Sequence, residues 1–155
     1  MRASLIVAVA AVACACLGGC GSSIAAQNSD VVRVADFPGA GDVLADGAGY
    51  ALYVYLPDGR GSPRCKSVCA KIWPPLLLPS GTTRPRAGPG ANPALLGTVR
   101  TSDGSLQITY NRWPLYTYHD DSQGRATGQG QGMGAWYLLE PSGKVDRQPV
   151  VLPAD

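Results

Sequence analysis

The chain has 155 residues, of which 13 are Lys or Arg and 11 are Asp or Glu, for a formal net charge of +2. A balance this close to neutral gives no electrostatic basis for holding nucleic acid or another polyanion. The length suits one domain of ordinary size with an adequate core.

Met1 and Arg2 form a one-charge start, and residues 3–17 an apolar run too short to cross a bilayer comfortably. That is the pattern of a secretory signal. Leu17-Gly18-Gly19-Cys20 then places small residues before a cysteine, with a leucine three positions upstream, as a bacterial lipoprotein cleavage site requires. On this reading residues 1–19 are a signal peptide and Cys20 becomes the acylated first residue, with membrane lipid as its partner. Each buried methylene of an acyl chain contributes about 0.8 kcal/mol, and two or more chains anchor stably. An ordinary secretory signal with an incidental cysteine is the alternative. Residues 20–30 are expected to be the lipidated cysteine and a small, polar tether, reaching roughly 15–20 Å as a flexible coil. Residues 31–155 are expected to be the folded domain. No second apolar span follows the leader, so the domain is expected on the extracytoplasmic side of the cell membrane.

Residues 31–35 are rich in β-branched side chains and predict a strand. Val43-Leu44 before Asp46-Gly47 predicts a strand entering a tight turn. Residues 52–56 alternate, with Leu52, Val54 and Leu56 on one face and Tyr53 and Tyr55 on the other, and Pro57-Asp58-Gly59 ends the strand. Residues 65–72 are the one stretch suited to a short helical turn, stopped by Trp73-Pro74-Pro75. Residues 76–78 read as a brief apolar strand, and 79–93 as a long, mobile surface connector. Residues 95–100 and 106–110 flank Ser102-Asp103-Gly104-Ser105 as a hairpin. Residues 113–118 form a second tyrosine strand, 124–134 a flexible glycine-rich loop, 135–139 a tryptophan strand, 141–144 a turn and 150–152 a last strand.

Two of these stretches are copies. Adding 63 to Leu52, Tyr53, Tyr55, Asp58, Gly61, Trp73 and Leu76 lands on Leu115, Tyr116, Tyr118, Asp121, Gly124, Trp136 and Leu139. Seven identities at one offset, scarce Tyr and Trp among them, indicate a tandem repeat over about 43–78 and 95–139. The predicted class is mostly β with little helix: a small barrel or sandwich built from two pseudo-symmetric β repeats. Cys65 and Cys69 correspond to Gly128 and Gly132, so whatever the cysteines do occurs in one copy.

The motifs resemble those of the bacterial secreted-repeat lipoproteins, which carry Tyr-x-[Phe/Trp/Tyr]-x-x-Asp. Here the motif stands as Tyr53-Val54-Tyr55-Leu56-Pro57-Asp58 and as Tyr116-Thr117-Tyr118-His119-Asp120-Asp121. The accessory pieces are also similar: Cys65, Cys69 and Trp73-Pro74-Pro75, then Gln107-Ile108-Thr109-Tyr110, Pro114-Leu115-Tyr116, and Gly128-Gln129-Gly130 before Trp136. The resemblance covers about 43–139. It implies export, lipidation and a two-repeat β fold, and it names no reaction.

Each candidate site has two readings. Tyr53, Tyr55, Asp58 and Trp73, with Tyr116, Tyr118, Asp121 and Trp136, could line a shared aromatic groove in which each Asp accepts a phenol hydrogen bond. Alternatively the rings fill the core and the two Asp cap turns. With Cys14 and Cys16 removed in the leader and Cys20 acylated, Cys65 and Cys69 remain as an even pair in an exported chain, where disulfides persist. Their Cys-x-x-x-Cys spacing favours a structural disulfide over a redox pair, although Arg64, Lys66 and Lys71 nearby would favour a thiolate. His119, the sole histidine, lies in a turn with no positioned nucleophile, and a zinc site would need further ligands. No catalytic set, metal site or cofactor is therefore expected. The expected function is a non-enzymatic binding or interaction module of the cell envelope, its partner an envelope protein or small ligand. The alternative is small-molecule or electron transfer through the aromatic groove and Cys65/Cys69.

Overall fold

The computed structural model describes residues 30–151; the expected signal peptide, Cys20, the tether up to Ser29 and Leu152 lie outside the described residues. Among the described residues no helix is long and apolar enough to cross a membrane. The strands are β1 (Val31–Phe37), β2 (Gly41–Asp46), β3 (Tyr53–Tyr55), β4 (Arg86–Ala87), β5 (Leu96–Arg100), β6 (Leu106–Tyr110), β7 (Trp113–Pro114) and β8 (Trp136–Leu138). Two short helical turns, α1 (Val68–Ile72) and α2 (Gln131–Gly134), and 3-10 turns at Leu56–Asp58 and Pro93–Leu95 interrupt them. They form three small sheets in the orders β2-β1-β4, β3-β8 and β5-β6-β7. No barrel closes among the described residues, and the fold is sandwich-like and mostly β.

The repeat is visible in the hydrogen bonds. The β1–β2 hairpin sets Val34 opposite Leu44, and the β5–β6 hairpin sets Thr98 opposite Ile108, the same register displaced by 64 residues. The structural repeat thus begins at β1, ahead of residue 43. These hairpins share no identical residue across the two copies, which is why no identity search finds them.

The two copies interlock. β3 of the first copy pairs antiparallel with β8 of the second, Tyr53 opposite Leu138, and Tyr116 bridges back to Pro75. Leu44 N–H donates to Leu139 O at 2.9 Å, and Ile108 N–H donates to Leu76 O at 2.8 Å. Leu56 N–H donates to Ala135 O at 2.8 Å, and His119 N–H donates to Ile72 O at 3.0 Å. Each bond has a partner with the copies exchanged, so the domain has a pseudo-twofold axis. Tyr53 and Tyr116 stand at the crossing, where the N–H of each donates to the carbonyl of the other at 2.8 and 3.0 Å.

The alternation of β3 divides the core in two. Leu52 and Val54 join Leu44, Leu76, Ile108, Leu115 and Leu139 in one buried cluster. Tyr53 faces the other way, into a cluster with Trp73, Tyr116 and Trp136, and Tyr55 packs against it. Burying these side chains, at about 25 cal/mol per Å² of apolar surface, is the main drive to fold.

Several elements differ from expectation. Leu56 leaves the strand and starts the 3-10 turn, because Pro57 has no N–H to continue a ladder. Of residues 113–118, only Trp113–Pro114 form a strand, since Tyr116 turns to bridge Tyr53 and Pro75 instead. The connector 79–93 is exposed but anchored. Arg86–Ala87 pair in parallel with Val31 and Val32, and the Arg86 guanidinium meets the Asp30 carboxylate at 2.7 Å. Val34 N–H then reaches Pro89 O at 2.9 Å. Val150 and Val151 form no strand; Val151 N–H donates to Gly39 O at 3.3 Å.

Candidate functional site

The tyrosine motif works across the copies rather than within them. The Tyr53 phenol donates to Asp121 Oδ2 at 2.7 Å, and the Tyr116 phenol donates to Asp58 Oδ2 at 2.5 Å. Each aspartate's other oxygen closes its own loop six residues on. Asp58 Oδ1 accepts Arg64 N–H at 2.7 Å, and Asp121 Oδ1 accepts Thr127 N–H at 2.7 Å and Thr127 Oγ1 at 2.8 Å. The Tyr53 phenol oxygen also accepts, from Gly128 N–H at 3.1 Å. Each Asp therefore serves as both phenol acceptor and turn cap.

The remaining rings stack along the axis. Trp73 and Trp136 lie face to face at 4.0 Å and 4°, with Tyr118 on Trp73 at 4.2 Å and Tyr55 on Trp136 at 4.4 Å. Tyr53 meets Trp73 edge-on at 5.3 Å, and Tyr116 meets Trp136 at 5.1 Å. Such geometries are favoured by the ring quadrupoles. Tyr53 and Tyr116 are fully buried, Trp73 and Trp136 nearly so, and Tyr55 and Tyr118 half-buried. The eight motif residues thus form a packed centre, not an open groove.

Burial raises the carboxyls of Asp58 and Asp121 above the usual range, opposed by the phenol and amide donors that reach them. Both phenols are pushed far up, first by burial and then by the carboxylate each faces. The folded chain holds them neutral where an unfolded chain ionises them near pH 10. Their stabilisation is whole below that pH and is lost as pH rises above it, at up to about 1.4 kcal/mol per pH unit for each phenol. Urea unfolding followed from about pH 9 to about pH 11.5 should show this decline, and Tyr116→Phe should make it shallower. A stability that is flat across the range would contradict the burial argument.

Cys65 and Cys69 form a disulfide with Cα atoms 5.2 Å apart, and Cys65 is buried. It fixes the loop that brings Cys65 into the buried cluster holding Tyr116. In the second copy close packing replaces it. A Cβ on Gly128 would lie 2.6 Å from Trp73 Cη2 and 3.0 Å from Tyr53 Cε1, so only glycine fits. The loop expected to be flexible is set tightly against the stack. Reducing the disulfide should cost about 2 kcal/mol, the loop-closure value for so small a ring. Denaturation with and without reductant checks this, and equal stabilities would mean that the bond constrains nothing.

The other candidates lie at the surface. His119 is exposed, with Nε2 3.4 Å from Asp120 Oδ2. Arg60, Arg64, Lys66 and Lys71 are all exposed on the rim of the cysteine loop. No group of His, Cys, Asp or Glu among the described residues is placed to hold a metal. Sequence reasoning missed Thr127 and Gln129. Gln129 Nε2 clamps the carbonyls of Asp146 at 2.9 Å and Gln148 at 2.7 Å, and its Oε1 accepts Leu138 N–H. It also missed Gln107, fully buried, whose Nε2 donates to Leu115 O at 2.8 Å while Oε1 has no partner. Its place beside Ile108-Thr109-Tyr110 in the motif was the available signal.

Residues 97–140 match the model of a lipoprotein family described as a secreted repeat of unknown function. The match spans the second copy, from β5 through β8, and this is the family that the paired motifs resemble. No curated protein and no solved structure matches the chain.

Proposed function

We propose that this chain is an exported lipoprotein, held to the cell membrane through acylated Cys20, whose β domain is a non-enzymatic interaction module. The observation that carries this reading is the saturation of the motif. Both phenols and both carboxylates are spent on one another and on backbone amides at a buried centre. The motif then serves as a rigid platform, and contact with other molecules falls to the loops and clefts around it. Leu17-Gly18-Gly19-Cys20 supports the anchor.

The test is to isolate the chain from the envelope of its own host and weigh it. A diacyl or triacyl mass on Cys20 is expected, and an unmodified Cys20 in the membrane fraction would sink the anchor. Native mass measurement of the same material should show a bound protein or peptide. Solely a retained small molecule, together with a Cys65–Cys69 potential above about −300 mV, would favour the transfer role over the interaction module.

A further inference from the structure

The pseudo-twofold relates two clefts, and the chain's own tail crosses one of them and not the other. The uncrossed one is a cleft of about 320 Å³ between the cysteine loop and the β5–β6 turn, with Cys65, Lys66, Pro75, Leu77, Thr101 and Gln107 among its walls. The axis carries these onto Gly128, Gln129, Leu138, Glu140, Phe37 and Val43. There the chain's own segment 146–151 lies across the surface. Asp146 N–H donates to Leu138 O at 2.9 Å, and Val151 N–H donates to Gly39 O. Gln129 clamps the Asp146 and Gln148 carbonyls, and Val150 packs on the cluster that holds Phe37 and Val43. In the first copy the chain leaves instead along β1, and nothing among the described residues covers the counterpart.

We propose that this cleft takes an extended peptide of a partner protein, laid across it as residues 146–151 lie across its counterpart. The proposal rests on the interaction-module reading and names its site. The groups that grip the tail have equivalents waiting. The Pro75 carbonyl stands where the Leu138 carbonyl accepts Asp146 N–H, and no described backbone donor reaches it. Lys66 stands where Gln129 donates to peptide carbonyls, and its exposed ammonium has the same donor role. The floor has changed from Phe37 and Val43 to Thr101, which is half-buried, over a fully buried Gln107. The peptide therefore carries a polar side chain, such as Thr, toward the half-buried Thr101 where the tail carries Val150 toward the cluster of Phe37 and Val43. Main-chain bonds to a sheet edge give such complexes affinity, and the pockets between them give selectivity. A second copy's tail is not the occupant, because each tail is held on its own chain.

The test titrates the intact processed chain with two synthetic peptides by calorimetry and amide NMR. One is the tail sequence Asp-Arg-Gln-Pro-Val-Val, and the other carries Thr at its fifth position. The Thr peptide should bind at least tenfold tighter, with shifts on residues 65–77 and 101–107. Thr101→Val should reverse the preference, and Lys66→Glu, on the exposed rim, should weaken both peptides about tenfold, each with an unaltered circular dichroism spectrum. Three results would overturn the proposal: no binding up to about 1 mM, equal binding by wild type and Lys66→Glu, or shifts confined to residues 37–43 and 146–151. Self-association of the chain without peptide would likewise overturn it. Peptide titration reads the cleft alone, whereas weighing the native complex reads the whole domain, so either can fail without the other.

Discussion

Trp73→Ala should lower the unfolding free energy by about 3–5 kcal/mol, the range for deleting a buried aromatic ring. Trp136→Ala should cost a similar amount, because the axis gives the two rings equivalent surroundings. Each is almost fully buried, lies parallel to the other at 4.0 Å, and carries a tyrosine on its outer face. Removing either ring empties a space bounded by three aromatic neighbours, Tyr53, Tyr118 and Trp136 around Trp73, and Tyr55, Tyr116 and Trp73 around Trp136. Against a total of about 5–15 kcal/mol for an ordinary domain, such a loss removes at least about a fifth of the stability. Urea unfolding of the two variants measures it. A cost below about 1.5 kcal/mol for either would show that the stack is ornament and that the aliphatic cluster alone carries the fold.

The second large effect concerns which tyrosine belongs to which aspartate. Asp121→Ala leaves the Tyr53 phenol and the Thr127 amide without their acceptor, and should cost about 2–4 kcal/mol, since each buried orphan costs about 1–3 kcal/mol. The diagnostic quantity is the coupling. Tyr53→Phe combined with Asp121→Ala should show an interaction energy of about 1–3 kcal/mol, as should Tyr116→Phe with Asp58→Ala. Tyr53→Phe with Asp58→Ala, which joins residues of one motif copy, should add to within about 0.5 kcal/mol. Coupling within a copy and additivity across copies would contradict the exchanged hydrogen bonds.

The double occurrence of the motif was plain in the sequence because Tyr and Trp are scarce and recur at one spacing. The period of two in residues 52–56 assigned Tyr53 and Leu52 to opposite faces, and the structure keeps them there. The exchange between copies was not legible. A Tyr three to five residues before an Asp suggests a local bond, and only the pairing of β3 with β8 carries Tyr53 to Asp121 instead. The hairpins were hidden for another reason: a strand is recognised by pattern and burial rather than by identity, and β1–β2 shares its register with β5–β6 while sharing no residue. Glycine misled as well. At 124–134 its abundance suggests freedom, yet Gly128 is there because Trp73 leaves no room for a side chain. The connector's anchorage escaped notice because Arg86 pairs with a residue 56 positions away.

The interlocking of the copies also dictates when this chain can fold. The bonds at its centre join residues 58, 68 and 75 positions apart. Loops of that size must close before any of those bonds contributes, which places folding late and makes it slow. A growing chain that ends before Leu139 has no partner for the Leu44 amide, and one that ends before Trp136 has no partner for β3. Neither half completes itself early. For a chain proposed to pass through a narrow membrane pore, this delay is useful: the polypeptide stays threadable until nearly all of it has emerged, and it locks on the far side.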